Sequence, residues 1–332
     1  MQKKSNSMVN MRSFLLLIFF FGTFATGPAV ADSAMEWVQK MSHAMRNLSY
    51  RGTFVYVHEN QLESMQISHL KDKNGVKERL YSLNGEAREV LRDNQNLTCV
   101  WPTSKKVVVD VSRQNNFSPI FIPEDIAKLE RFYEIEMLGE DRIADAITQV
   151  VFINPRDQLR YGMKFWINVE NGLMMKSSLL DEQGHEVEQV MFTSLKVFDG
   201  DEKLEFDTMP EIDENFTLVR YHSGDPAIAD SQTGNDQKWL LENPPGGFWR
   251  ASLVNRKVPG TERYVQQMVY TDGLASLSVF IESVAGETPH GGTSMGAVNA
   301  YIRILDDHSV TAIGEVPAET VKQIAEAVSY RE

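Results

Sequence analysis

Just after Asp32 the apolar side chains recur every three or four residues. Met35, Val38, Met41, Met45 and Leu48 fall on one face and predict a helix. The period then switches to two. Gly52, Phe54 and Tyr56 lie on one side of the run 50–59 and Thr53, Val55 and Val57 on the other, as a strand requires. Further strands are predicted over 62–70, 76–83, 87–93, 97–101 and 106–112. Asn74-Gly75 and Asn84-Gly85 supply tight hairpin turns. The connections are too short for crossover helices, so the series is expected to be an antiparallel meander.

Pro119 and Pro123 interrupt this pattern and bracket Ile120-Phe121-Ile122. A short helix carrying Ile126, Leu129 and Tyr133 should follow, because proline suits a first helical turn. Strands resume over 133–138, 146–153, 160–169, 173–180 and 187–198, with Asn171-Gly172 and Glu182-Gln183-Gly184-His185 as turns. A sheet of this width with two helices must curl to bury one face. Residues 199–216 read as an acidic linker, with Asp199-Gly200-Asp201-Glu202 and Glu211-Ile212-Asp213-Glu214 on either side of Pro210. The segment 217–332 is long enough for a smaller second domain. It is expected to open with a strand at 217–222. A polar stretch over 223–235, Trp239-Leu240-Leu241 and the Pro244–Trp249 run come next. Strands are then predicted over 265–271, 275–282, 296–305 and 308–315, and a closing helix over 317–330 with Val321, Ile324, Ala325 and Val328 as its apolar stripe.

The N-terminus changes the picture from fold to address. Lys3, Lys4 and Arg12 precede an apolar run from Phe14 to Ala25, and Ala29-Val30-Ala31 follows. This is the layout of a cleaved secretory signal over 1–31, cut after Ala31. The run is too short for a membrane span of roughly 20 residues, and no cysteine follows it to carry a lipid. The chain holds 33 Lys and Arg against 46 Asp and Glu, a formal net charge of −13. Such a balance repels nucleic-acid phosphates and argues against nucleic acid as a partner. Cys99 is the single cysteine. An exported domain with one cysteine has no internal disulfide and depends on its core, where Cys99 is expected to sit.

No catalytic motif survives inspection. Gly292-Thr293-Ser294-Met295-Gly296 fits the G-x-S-x-G nucleophile pattern. That mechanism needs a strand before the serine, a helix after it, and an acid and a histidine further on. Here loop text precedes the serine and a strand follows it, so the segment reads as a flexible loop between strands. The histidines at 43, 58, 69, 185, 222, 290 and 308 show no zinc-helix spacing. His58 and His69 could face one another across a hairpin, but nothing marks a third ligand. Neither a phosphate loop nor a dinucleotide fingerprint is present, and no cofactor is expected.

Phe54, Tyr56, Met65, Ile67, Met163 and Phe165 recur on strands of the curled sheet, with Met174 and Met175 close by. Two readings fit. One is ordinary core; the other is a cavity for an acyl chain, because methionine and aromatic rings make an adaptable apolar lining.

Several stretches resemble the RseB/MucB family, periplasmic negative regulators of the envelope-stress sigma factor. They are Tyr50-Arg51-Gly52-Thr53-Phe54-Val55-Tyr56, Leu159-Arg160-Tyr161-Gly162-Met163-Lys164-Phe165-Trp166, Gly172-Leu173-Met174-Met175-Lys176, Pro245-Gly246-Gly247-Phe248, the run from Tyr270-Thr271-Asp272-Gly273 to Glu282, and Gly314-Glu315-Val316-Pro317. Their order behind a signal peptide carries the likeness across the mature chain.

The resemblance implies a mainly β, α+β protein of two domains. A large domain at 32–198 would be similar to LolA and LolB, a curved, unclosed antiparallel barrel with helices over its mouth. A smaller C-terminal sheet-and-helix domain at 217–332 would supply much of the partner contact. The implied partner is the periplasmic part of the anti-sigma factor RseA/MucA, shielded from the site-1 protease DegS. Lipopolysaccharide or its acyl chains are implied to release it. On this basis Phe54, Tyr56, Met65, Ile67, Met163 and Phe165 are nominated as cavity lining, and Phe248, Tyr270, Phe280 and Tyr301 as core or partner surface. Peptide and lipid would exclude one another through two domain arrangements, with 199–216 as the hinge. The competing class is a periplasmic lipid or lipoprotein carrier. Oligomeric state is open, a homo-oligomer included.

Overall fold

The computed structural model describes residues 33–59, 61–93, 96–111, 126–198, 212–221, 239–241, 243–257, 264–284, 286 and 289–331. The signal peptide, most of the acidic linker, the Pro119–Pro123 bracket and the polar stretch over 223–235 lie outside the described residues.

Helix α1 (Ala34–Asn47) opens the described chain. Ser33 and Glu36 close a reciprocal capping box at its start, which satisfies two otherwise orphaned backbone donors. Of the predicted face, Val38 and Met41 are buried and Met35, Met45 and Leu48 partly buried, while Ala44, which the pattern does not single out, is buried with them. Eleven strands of the large domain follow: β1 (Ser49–His58), β2 (Gln61–Asp72), β3 (Gly75–Ser82), β4 (Glu89–Asp93), β5 (Asn96–Trp101), β6 (Lys106–Val111), β7 (Tyr133–Ile143), β8 (Ala146–Pro155), β9 (Gly162–Asn168), β10 (Met174–Leu180) and β11 (Glu186–Phe198). A 3-10 turn at Ile126–Arg131 leads into β7.

These strands and β12 (Thr217–Tyr221) form one twelve-stranded sheet in the order β12-β6-β5-β4-β3-β2-β1-β11-β10-β9-β8-β7. The sheet is unclosed, with β12 and β7 at its edges. It curls strongly on the β7 side. β7 and β11 are separated by three strands in the sheet, yet their Cα atoms approach within 8 Å. A flat sheet would hold them about 19 Å apart.

The strand expected to open the small domain is therefore a strand of the large sheet. β12 pairs with β6 in parallel, Thr217 opposite Lys106 and Tyr221 opposite Asp110. The sheet is mixed rather than wholly antiparallel. Parallel neighbours need a long connection, here more than a hundred residues, and alternation within β12 carries no information about which sheet it joins.

The small domain is a six-stranded antiparallel sheet in the order β14-β15-β16-β19-β18-β17: β14 (Trp249–Lys257), β15 (Tyr264–Thr271), β16 (Ser276–Ser283), β17 (Gly291–Met295), β18 (Val298–Leu305) and β19 (His308–Gly314). Helix α2 (Ala318–Ala327) covers one face. Its Val321, Ile324 and Ala325 pack with Met268, Tyr270, Leu277, Val279, Ile281, Val310 and Ala312. A two-stranded ribbon completes it, β13 (Trp239–Leu241) against β20 (Val328–Tyr330).

Three expectations change here. The closing helix stops at Ala327, because Val328 turns to extended backbone (φ −68°, ψ 131°) and pairs with Leu241. The Gly292–Gly296 segment is an edge strand over its first four residues, since its backbone pairs with β18 although its side chains alternate nothing. β14, whose Trp249-Arg250-Ala251-Ser252 start lacks an apolar rhythm, has no counterpart among the sequence-predicted strands.

Candidate functional site

The register of the large sheet decides which side chains share a face. Phe54 lies opposite Met65 and Phe192, Gly52 opposite Ile67, and Phe165 opposite Val151. Strand alternation then puts Phe54, Tyr56, Met65, Ile67, Met163 and Phe165 on one face, where all six join a single apolar cluster. Phe54, Met65, Ile67 and Phe165 are buried; Tyr56 and Met163 are partly buried at the margin. Burial and then the Glu188 carboxylate keep the Tyr56 hydroxyl protonated far above neutral pH.

Helix α1 occupies the same face. Val38, Met41 and Ala44 pack into the cluster, with Met35, Trp37 and Met45 around them. The helix is tied down along its length. The Lys40 ammonium donates to the Val169 carbonyl at 2.7 Å and stands 4.4 Å over the Trp37 ring. Gly172 comes so close to Lys40 that a β-carbon there would lie 2.8 Å from Lys40 Cγ. The six nominated residues lie on one face of the sheet, and α1 packs into the same apolar cluster. A surface recess of about 400 Å³ lies elsewhere, lined by Glu36, Gln39, Lys40, His43, Ala44, Leu48 and Asn171.

In the small domain, Phe248 and Tyr270 are buried in the core under α2. Tyr301 is partly buried on the same side, 3.5 Å from the Glu326 carboxylate. Phe280 stands opposite Gln267 and Thr311, on the sheet face that turns away from α2, and is partly exposed.

Sequence reasoning missed the joint between the two domains. Leu159, Arg160 and Tyr161, three consecutive residues between β8 and β9, each grip the small domain. The Leu159 carbonyl accepts from the Thr320 hydroxyl at 2.8 Å. The Tyr161 hydroxyl accepts from Asn299 Nδ2 at 2.9 Å, and the same Asn299 amide donates to the Val316 carbonyl at 2.8 Å. Arg160 lies between them with a side chain that is 0% exposed. Its Nε is 3.1 Å from Asp272 Oδ2 and its Nη2 donates to the Gly246 carbonyl at 2.5 Å. Three rings enclose the guanidinium: Phe132 at 4.8 Å, Tyr133 at 5.5 Å and Phe248 at 5.0 Å. Cations are attracted to ring faces at such distances.

Asp272 is held from both sides. The Tyr133 hydroxyl donates to its Oδ2 at 2.8 Å, while its Oδ1 accepts from the backbone N–H groups of Leu274 and Ala275. Burial, and then the neighbouring carboxylate, raise the Tyr133 hydroxyl far above its ordinary pKa, so it remains a donor. Gly246 has φ +62°, a conformation that favours glycine, and a β-carbon there would stand 2.6 Å from Leu159 Cδ1. At the far end of the joint the Gly296 N–H donates to Glu59. One signal could have pointed here: Arg160, Gly246 and Asp272 all lie in stretches quoted for the family resemblance.

The other candidate chemistries do not assemble. Ser294 is exposed on edge strand β17 and donates to Asn299 Oδ1 at 2.6 Å, with no histidine at hand among its described partners. His58 pairs in register with Gln61 and His69 with Tyr50, so the two histidines are eight residues of strand apart rather than face to face. His69 instead stacks on Tyr50 and meets Glu78 at 2.8 Å. Among the described residues no cluster of His, Cys, Asp and Glu could hold a metal ion. No described helix is long and apolar enough to cross a membrane. Cys99 is partly buried on β5.

Comparison with known proteins agrees with this architecture. The MucB/RseB N-terminal domain model matches residues 33–212, and the MucB/RseB C-terminal domain model matches 233–329. The chain is 30% identical over 323 residues to the sigma factor AlgU regulatory protein MucB of Pseudomonas aeruginosa, covering 95% of this chain and 96% of that one. It is 25% identical over 303 residues to the sigma-E factor regulatory protein RseB of Haemophilus influenzae, covering 90% and 92%. A crystal structure of MucB in complex with MucA(peri) superposes with a TM-score of 0.67 at 27% identity, over 90% of this chain and 100% of that one. Both halves match in order and nearly in full, and the chain belongs to the MucB/RseB family of sigma-factor regulatory proteins.

Proposed function

We propose that this protein is a periplasmic negative regulator of an envelope-stress sigma factor. It is exported by the cleaved signal at 1–31 and binds the periplasmic part of a membrane-spanning MucA/RseA-type anti-sigma factor. Bound there, it shields that segment from a DegS-type first cleavage. The observation that carries this reading is the likeness along nearly the whole chain to MucB, together with the superposition on MucB seated on MucA(peri).

Lipopolysaccharide or its acyl chains act as the releasing signal. They enter the face lined by Phe54, Tyr56, Met65, Ile67, Met163 and Phe165, which requires α1 to move aside. In the small domain Phe280 and Tyr301 keep surface for the partner, while Phe248 and Tyr270 support it from the core. Peptide and lipid prefer different arrangements of the two domains and so exclude one another.

The test is capture of the mature protein on the immobilised periplasmic segment of the anti-sigma factor from the same organism. Saturable binding, protection of the segment from site-1 cleavage and release by lipopolysaccharide are expected. A protein that retains lipid through purification and ignores the peptide would instead be a carrier. Unchanged peptide affinity at saturating lipid would refute the mutual exclusion.

A further inference from the structure

We propose that Leu159-Arg160-Tyr161 is a latch between the two domains, with the buried Arg160 guanidinium as its bolt, and that it opens in a single step. This deepens the regulatory reading above, which requires two domain arrangements. The closed state is well specified: Arg160 sits in a box of Phe132, Tyr133 and Phe248 and contacts both Asp272 and the Gly246 carbonyl.

The closed state is also incompletely satisfied. Arg160 Nη1 is buried without a hydrogen-bond acceptor, and Nε approaches Asp272 without hydrogen-bond geometry. Burying two charges carries a large desolvation cost that their attraction only offsets when every remaining donor is also used. The unused donors of Arg160 would find water once the joint opened. The unused donors therefore lower the cost of opening the joint, so a ligand that prefers the open arrangement can shift the balance. A half-open joint is worse than either, since it separates the charges while they remain out of water. Opening is accordingly two-state. Thr320 and Asn299, on either side of the bolt, part from Leu159 and Tyr161 in the same event.

The test uses the mature full chain with Cys99→Ser and spin labels at Ser194→Cys and Ala327→Cys, exposed positions of the large and small domains. Electron–electron double resonance then reads the interdomain distance. In the otherwise native chain one closed population should dominate, and Arg160→Ala should add a second, longer one. Arg160→Met combined with Asp272→Asn removes both charges but keeps the acceptor for Leu274 and Ala275. It should hold the closed distance and raise the lipopolysaccharide concentration needed to release the partner peptide at least tenfold.

An unchanged distance distribution in Arg160→Ala overturns the latch. Loss of amide protection in both α1 and α2 of that variant overturns it too, because the pair would then be a folding contact. If the distances shift as expected while peptide affinity and release stay as in the native chain, the latch stands and the regulatory reading fails.

Discussion

Met41→Ala tests whether α1 is a structural plug on the large sheet. Met41 is 0% exposed and lies among Val38, Ala44 and the strand residues of the same cluster. Truncation to alanine removes the γ-methylene, the sulfur and the terminal methyl. Buried Met→Ala changes cost about 2–5 kcal/mol, the larger values applying where the surroundings cannot collapse. Collapse is restricted here. The capping box holds the first turn, and Lys40 anchors the middle of the helix to the Val169 carbonyl. The upper half of that range, about 3–5 kcal/mol, is expected. In urea melts of the mature protein this moves the large-domain midpoint down by about 1 M or more, taking a slope of about 3 kcal/mol per molar. The vacated space lies within the same apolar cluster as Phe54 and Met65, so the variant should take up a fluorescent fatty acid more tightly than the native chain. A midpoint shift under about 0.3 M, equivalent to about 1 kcal/mol at that slope, would falsify the plug, because no well-packed buried methionine could be removed so cheaply.

Three further outcomes follow from other contacts. Burial alone would raise the Glu78 carboxyl, but the hydrogen bond and charge of His69, and then Arg92, hold it below its ordinary value. An unfolded glutamate titrates near about 4.3, so this contribution is fully present above that pH and is lost as pH falls through the lower folded value. Glu78→Gln should therefore flatten the acid limb of a stability-against-pH curve measured by thermal melting; an unaltered limb would show that the pair is not formed. Asn299→Leu leaves the buried Val316 carbonyl and Tyr161 hydroxyl without their donor, at about 1–3 kcal/mol for each group left unsatisfied. Calorimetry should show a lower melting temperature for the small domain, and a neutral result would mean water replaces the amide. Gly246→Ala forces a side chain into positive φ, about 1–2 kcal/mol in strain, and against Leu159 and Arg160. It should increase amide exchange around 246–248 and 159–161, while unchanged exchange would show that the joint has room to spare.

Much of the fold is legible because period and turn chemistry are local. The alternation of Phe54 and Tyr56, the Asn-Gly turns and the Met35-to-Leu48 stripe all sit within a few residues of what they predict. The same parity places the six nominated residues on one face. Whether that face encloses a cavity or a core is not local. It depends on α1 folding back over the sheet, and Val38 and Met41 would read the same if the helix lay anywhere else. β12 is ambiguous for a similar reason, since its partner β6 lies more than a hundred residues earlier. The joint is the hardest to read. Arg160 and Gly246 are 86 residues apart, and Tyr133 and Asp272 are 139. An arginine in a polar sequence context reads as surface, because buried arginines are rare.

The lumen and the joint place unequal demands on the sequence. An apolar face accepts many side chains of similar volume, so Ile, Leu and Met can exchange there at small cost. The joint cannot be satisfied that way. Arg160 must reach a carboxylate and a carbonyl at once while lying among three rings, a task for which lysine lacks the planar fork. Gly246 must adopt a positive φ without a β-carbon, and Asp272 must serve Arg160, Tyr133 and two backbone amides together. Residue identity is therefore dictated at the joint and only residue class at the lumen. Leu159-Arg160-Tyr161-Gly162, Pro245-Gly246-Gly247-Phe248 and Asp272-Gly273 all contribute to this joint although they lie far apart in the chain. They come from both domains and meet at one place.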